Sequence, residues 1–255
     1  FWFGVLEFEI LKKVDAEEWN NHLKKSTHST YFQTAEYVRE RDSRKIPIFI
    51  YVKNSKNEIK GQLAVLIITS QSVYSTKKFI KYTKMISKFG NRGSWVNGPI
   101  IHFDNEKERI EILRIFLEAL DSIASDYNLM IIDGYSCAQD DISEDYKNEL
   151  KRFGYKIRNF KTFRTDLNED IEKIWKKVSK SARNDVTRAR RREISVKELE
   201  QKKELLDYEL LSKRWAITKG IEISNPHSLV EDGWKDHLSG IQKYFLAYQN
   251  KELIS

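Results

Sequence analysis

The sequence has one cysteine, Cys137, which excludes an internal disulfide and a paired-thiol redox centre. That suits a reducing compartment. Long hydrophobic runs are missing too: the longest, Leu63 to Ile68, is far too short to cross a bilayer. Phe1-Trp2-Phe3 runs into Glu7 without a basic leader, so the expectation is a soluble, cytoplasmic protein. There is no phosphate-binding Walker loop, dinucleotide glycine fingerprint, Gly-x-Ser-x-Gly elbow or zinc pair of cysteines. His22, His28, His102, His227 and His237 show no metal-ligand spacing, and the acidic group Asp140-Asp141 and Glu144-Asp145 lacks the glycine and alternation of a calcium loop. No metal and no tightly bound cofactor are expected.

What is present is one concentration of positive charge. The chain carries a formal charge of +7, and the stretch Ile171 to Arg192 alone holds nine Lys/Arg against Glu172 and Asp185. The other residues therefore balance. On a helical wheel Ile171, Ile174, Trp175, Val178, Ala182, Val186 and Ala189 form a stripe about 120° wide, the pattern of a core-facing helix. Most bases project from the opposite side, with a break in the helix near Ser179 to Ser181. A charged face is the ordinary way to solvate a helix, but such faces usually alternate sign, and this one does not. An anion would relieve the repulsion, and arginine, dominant in the second half, suits phosphate or carboxylate.

At 255 residues, with 40% hydrophobic side chains, two domains of ordinary size can fill their cores. In chain order, the spacing predicts a strand within 5–14, a helix capped by Asp15, and a short helix after Thr34. A hairpin follows over 46–69, then an irregular stretch at 72–88 and a glycine-punctuated region around Trp95. Next come a long helix over 105–127, a buried strand Leu129 to Asp133, a helix over 141–153 stopped by Gly154, and a strand from Tyr155 to Asp166. The basic segment precedes a short strand at 194–196, helices over 198–219 and 226–240, and strands at 244–248 and 253–254. The strings at 48–63 and 244–255 share an aromatic strand, a polar Asn/Lys turn and a Glu-aliphatic return, which suggests two similar halves. The second copy has little after its turn, so an open sheet edge is expected there, available for self-association.

Several strings carry a resemblance. Thr162-Phe-Arg-Thr-Asp-Leu-Asn followed by Ile174-Trp-Lys-Lys-Val-Ser-Lys-Ser-Ala-Arg-Asn-Asp-Val-Thr-Arg-Ala resembles a segment of Fem-type (FemABX-like) aminoacyltransferases. Tyr31-Phe-Gln-Thr-Ala-Glu-Tyr is similar to their N-terminal element, and Asn97-Gly98-Pro99 to a glycine-proline turn after the first-domain strands. The resemblance implies an α/β (mixed α+β) chain of two tandem GNAT-like acyltransferase domains, 1–160 and an incomplete 161–255 that holds the basic segment 171–192. It further implies transfer of an acyl or aminoacyl group to the amine of an anionic acceptor, a small molecule or a lipid-linked one such as a peptidoglycan precursor. The donor would be aminoacyl-tRNA or acyl-CoA. Carried over by position, Tyr31, Gln33, Arg41, Lys180, Arg183, Asn184 and Arg188 would bind substrate, with Arg183 on a diphosphate. The sequence names no catalytic base. Where the family places Gly after the basic run, this chain has Arg191-Arg192-Glu193-Ile194. Two other readings stay open: a nucleic-acid (tRNA) binding module with Arg188, Arg190, Arg191 and Arg192 on phosphates, and a surface recruiting a partner or an anionic membrane.

Overall fold

The computed structural model describes residues 5–38, 45–69, 90–103, 105–137, 142–161, 165–166, 168–220 and 226–255. Arg41, the stretch 72–88, Asp140-Asp141 and the start of the Thr162 string lie outside them. The chain divides into two compact units, 1–162 and 163–255.

In the first unit β1 (Glu7–Leu11), β2 (Lys45–Lys53), β3 (Ile59–Ile68), β4 (Asn91–Trp95) and β6 (Leu129–Gly134) lie side by side in that order, and β5 (Ile100–Ile101) pairs with β3. Pairing is antiparallel except between β4 and β6, which run parallel. Alternation in the β2–β3 hairpin explains why both faces of the sheet are covered. Ile48, Ile50 and Val52 with Leu63, Val65 and Ile67 point to one face, where α3 (Glu106–Asp126) lays Phe116, Leu117 and Leu120 against them. Phe49, Tyr51 and Ala64 point the other way, onto Trp19 and Leu23 of α1 (Ala16–Leu23) and Val38 of α2 (Ala35–Val38).

Local capping sets the helix starts. Asp15 accepts from the Glu18 amide at 2.8 Å, Asn105 from Glu108 at 3.1 Å, and Ser143 from Tyr146 at 3.1 Å to open α4 (Glu144–Arg152). Past α4 the chain turns at Gly154, whose φ of 83° is left-handed.

Two expected elements differ. The apolar run Leu129 to Asp133 is a strand but not a buried one: among the described residues β6 pairs only with β4, at the end of the sheet, and Met130 is 69% exposed. Tyr155 to Asp166 forms no strand among its described residues. Branched and aromatic residues favour a strand only where a partner supplies the ladder, and here Tyr155 and Phe160 instead place their rings against Trp95 and Tyr135.

The second unit begins with helices α5 (Ile171–Lys177) and α6 (Lys180–Arg191) and continues through β7 (Ser195–Glu198), α7 (Lys202–Thr218), α8 (Pro226–Leu238), β8 (Phe245–Gln249) and β9 (Glu252–Leu253). Its three strands form a separate antiparallel sheet, β7-β8-β9. Asn250 and Lys251 turn β8 into β9 with φ of 50° and 67°, the left-handed pair that suits a two-residue hairpin. The core is small: Leu199, Leu205, Val230 and Leu246.

Glu204 ties the start of α7 to this sheet. Its carboxylate accepts from the Glu200 amide at 3.0 Å, the Gln201 amide at 3.1 Å, Lys197 Nζ at 2.6 Å and Tyr248 Oη at 3.2 Å. The lysine bond, then the amides, pull its pKa down to about 2. A carboxylate depressed on folding stabilises the native state above its ordinary range near 4.3 and loses that contribution as pH falls towards about 2. Glu204→Gln should therefore cost about 1–2 kcal/mol at pH 7, allowing for screening of a partly exposed pair. The wild-type advantage should fade between pH 4 and 2.5, as read from urea midpoints at each pH.

Candidate functional site

The basic stretch is an elbow of two helices. Asp170 caps α5 by accepting from the Glu172 amide at 2.8 Å. Val178 and Ser179 are then extended, with ψ of 135° and 149°, and Ser179 Oγ accepts from the Ala182 amide at 3.2 Å to start α6. The wheel drawn through a single helix therefore loses phase at Ser179. Neither helix buries a side chain: Ile171 is 76% exposed, and Trp175 and Val186 are exposed as well. The stripe expected to face a core contributes nothing to the core of its own unit.

Arg183 fixes the elbow. Its Nη1 donates to the Lys176 carbonyl at 3.0 Å, across the bend, and so caps the negative end of α5. A guanidinium has five N–H groups, and this bond uses one. Lys180 stands in the first turn of α6, which contains no acid. Positive charge at a helix N-terminus opposes the macrodipole, at about 0.3–1 kcal/mol per charge on an exposed surface.

Helical spacing places Lys180, Arg183, Asn184, Arg188 and Arg191 along one face of α6. Lys180, Asn184 and Arg188 are exposed. Arg188 lies 3.4 Å from Asp185, and Lys177 2.5 Å from Glu169. Among the described residues no carboxylate is in ion-pair range of Lys173, Lys176, Lys180, Arg190, Arg191 or Arg192. The elbow thus offers a fixed arginine, a lysine at a positive helix end, and backbone amides, all suited to an anion.

The first-unit candidates have different surroundings. Tyr31 and Gln33 belong to a 3-10 turn, Tyr31–Gln33. The Tyr31 ring lies 6.1 Å from Phe32 and 5.5 Å from Tyr37, in an aromatic cluster at the surface. Gln33, expected to touch substrate, is fully buried. Its Oε1 accepts from the Ala64 amide at 2.8 Å, its Nε2 donates to the Val96 carbonyl at 2.7 Å, and its own carbonyl accepts from Trp19 Nε1 at 2.8 Å. This glutamine joins the 3-10 turn to β3 and to the turn after β4, which consumes the groups a ligand would need.

Sequence reasoning did not single out the Lys176 carbonyl, whose role depends on the angle of the bend. Nor did it assign a role to Trp95, whose indole Nε1 donates to the Gly98 carbonyl at 3.0 Å; the glycines around it were the signal.

The mixed α/β fold is similar to that of a solved structure, in agreement with the fold that the resemblance implies. The crystal structure of FemX superimposes with a TM-score of 0.62 at 16% identity, covering 94% of this chain and 57% of that one. The chain thus spans a little over half the length of FemX. A GCN5-related glucosamine N-acetyltransferase region of a fungal multi-domain GH3 beta-N-acetylglucosaminidase aligns with a TM-score of 0.44 at 13% identity, over 98% of this chain and 27% of that one. No protein-family model and no curated protein matches the sequence.

The two kinds of candidate separate in a stability measurement. Gln33→Ala leaves the Ala64 amide and the Val96 carbonyl unpaired in the interior and should cost about 2–4 kcal/mol. Arg183→Ala removes one exposed capping bond and should cost less than about 1 kcal/mol. Urea unfolding of both variants checks the order; equal losses would contradict these assignments.

Proposed function

We propose that this chain is the acceptor-gripping part of an acyl- or aminoacyltransferase, and that the α5–α6 elbow holds an anionic acceptor while its amine is acylated. The observation that carries this reading is the elbow itself, unneutralised positive charge fixed at a helix N-terminus, on a chain with the FemX fold. Acyl transfer requires a neutral amine, a carbonyl held for attack, and stabilisation of the oxyanion that forms. Positioning alone can supply several kcal/mol of the acceleration. In this reading Arg183 and Lys180 take the acceptor's phosphate or carboxylate, Asn184 hydrogen-bonds beside it, and Arg188 extends the contact once it leaves Asp185. Tyr31 and Arg41 remain first-unit substrate contacts in the proposal. The acyl donor is aminoacyl-tRNA or acyl-CoA.

A second reading rests on a separate observation. Arg190, Arg191 and Arg192 stand together at the end of α6 without carboxylate partners among the described residues, and such a cluster suits the backbone of a tRNA. The two readings are compatible if the tRNA is the donor.

The test is steady-state transfer to a peptidoglycan-precursor nucleotide, with either donor supplied. Arg183→Ala should raise the acceptor's KM about tenfold or more, because a charged hydrogen bond contributes about 1.5–3 kcal/mol. The donor's KM should stay unchanged. Wild-type acceptor kinetics in a folded Arg183→Ala protein would overturn the assignment.

A further inference from the structure

The first unit contains a cavity of about 1080 Å³, lined only by residues of that unit, where the carboxyl ends of the parallel strands β4 and β6 meet α3, α4 and the segment 155–160. Ligands of open α/β sheets collect at strand carboxyl ends, and a pocket of this size accepts a compact organic molecule.

Leu113, Phe116, Leu117 and Leu120 of α3 supply an apolar wall, and each is almost completely buried. The facing wall is Trp95, whose indole lies flat on the backbone of Gly134: a Cβ added at 134 would fall 1.9 Å from the ring. Trp95 Nε1 donates to the Gly98 carbonyl at 3.0 Å, so the ring is held and its polar atom is already used. Asp133 is engaged by Arg92 and Lys147 by Glu144, while Asp121, Lys156 and Arg158 also belong to the lining. Among the described residues one polar side-chain atom of the lining is both buried and without a partner, the hydroxyl of Tyr155. Burial pushes that phenol up, so it remains a neutral donor and acceptor at physiological pH.

We propose that this cavity is a binding site for an apolar or aromatic group bearing one hydrogen-bonding atom, which Tyr155 Oη receives. The flat indole, with apolar side chains opposite, favours a planar body. Exposed Tyr135 and Phe160, with ring centroids 5.8 Å apart, form part of the rim and extend the apolar surface outward. The proposal stands on the first unit alone.

Neutral naphthalene probes test it on the whole chain. N-phenyl-1-naphthylamine should bind saturably, one per chain, with the emission rise of an apolar site, and Leu117→Trp, which grows into the cavity, should weaken it at least tenfold. Tyr155→Phe keeps the shape and removes the hydroxyl. Wild type should prefer 1-naphthol to naphthalene about tenfold, and this variant should lose the preference while staying folded by circular dichroism. Non-saturable binding, or undiminished binding in a folded Leu117→Trp protein, would overturn the site. If Leu117→Trp does not fold, the naphthol comparison decides, and a preference that survives in Tyr155→Phe would overturn the proposal.

Discussion

Repulsion between like charges on one short stretch of chain is the constraint on which the second unit's chemistry depends. Nine bases in 22 residues would spread apart in a mobile segment, and two hydrogen bonds keep them together. Ser179 Oγ ends one helix's phase and begins the next by taking the Ala182 amide, and Arg183 reaches back to the Lys176 carbonyl. The positive start of α6 is thereby aligned with Lys180 and Arg183 instead of with the acids that helix starts usually carry. Such an arrangement is electrostatically unfavourable in isolation and becomes favourable when an anion arrives.

The first unit works by a different economy of interactions. Its sheet is covered on both faces because β2 and β3 alternate apolar side chains to α3 on one side and to α1 and α2 on the other. Gln33 then crosses between elements with all its amide atoms engaged, so the 3-10 turn and the strand ends move as one body. That rigidity holds Trp95 against Gly134 and preserves open space beside a packed core. A positively charged face and a cavity with an apolar wall are thus built on separate units by separate means.

Much of the fold was legible because its signals are local. Asp15, Asn105 and Ser143 cap helices within three residues of themselves, and the β2–β3 hairpin alternates up to the register shift between Val52 and Lys53. Where an outcome depended on distant partners, the sequence misled. The run at Leu129 to Asp133 is apolar enough for a central strand, yet whether a strand is central depends on what lies on its second edge. Tyr155 to Asp166 has strand composition without a ladder. In the site, charge arithmetic located the elbow and the sequence marked a break near Ser179 to Ser181, which the extended backbone of Val178 and Ser179 provides; the stripe opposite the bases was drawn through that break and joins no core cluster of its unit. Gln33 illustrates the reverse case: its place in a motif could not show that the fold itself uses every polar atom of its amide.

The most direct measurement of the central claim is calorimetric titration of the 255-residue chain with inorganic pyrophosphate at low and at physiological ionic strength. An anion site at the elbow gives saturable one-to-one binding that weakens as salt screens it. That binding should disappear when Lys180→Gln and Arg183→Gln are combined, and survive when Arg190, Arg191 and Arg192 are replaced by Gln. Binding that ignores the first pair of substitutions, or follows the second set instead, would contradict the account.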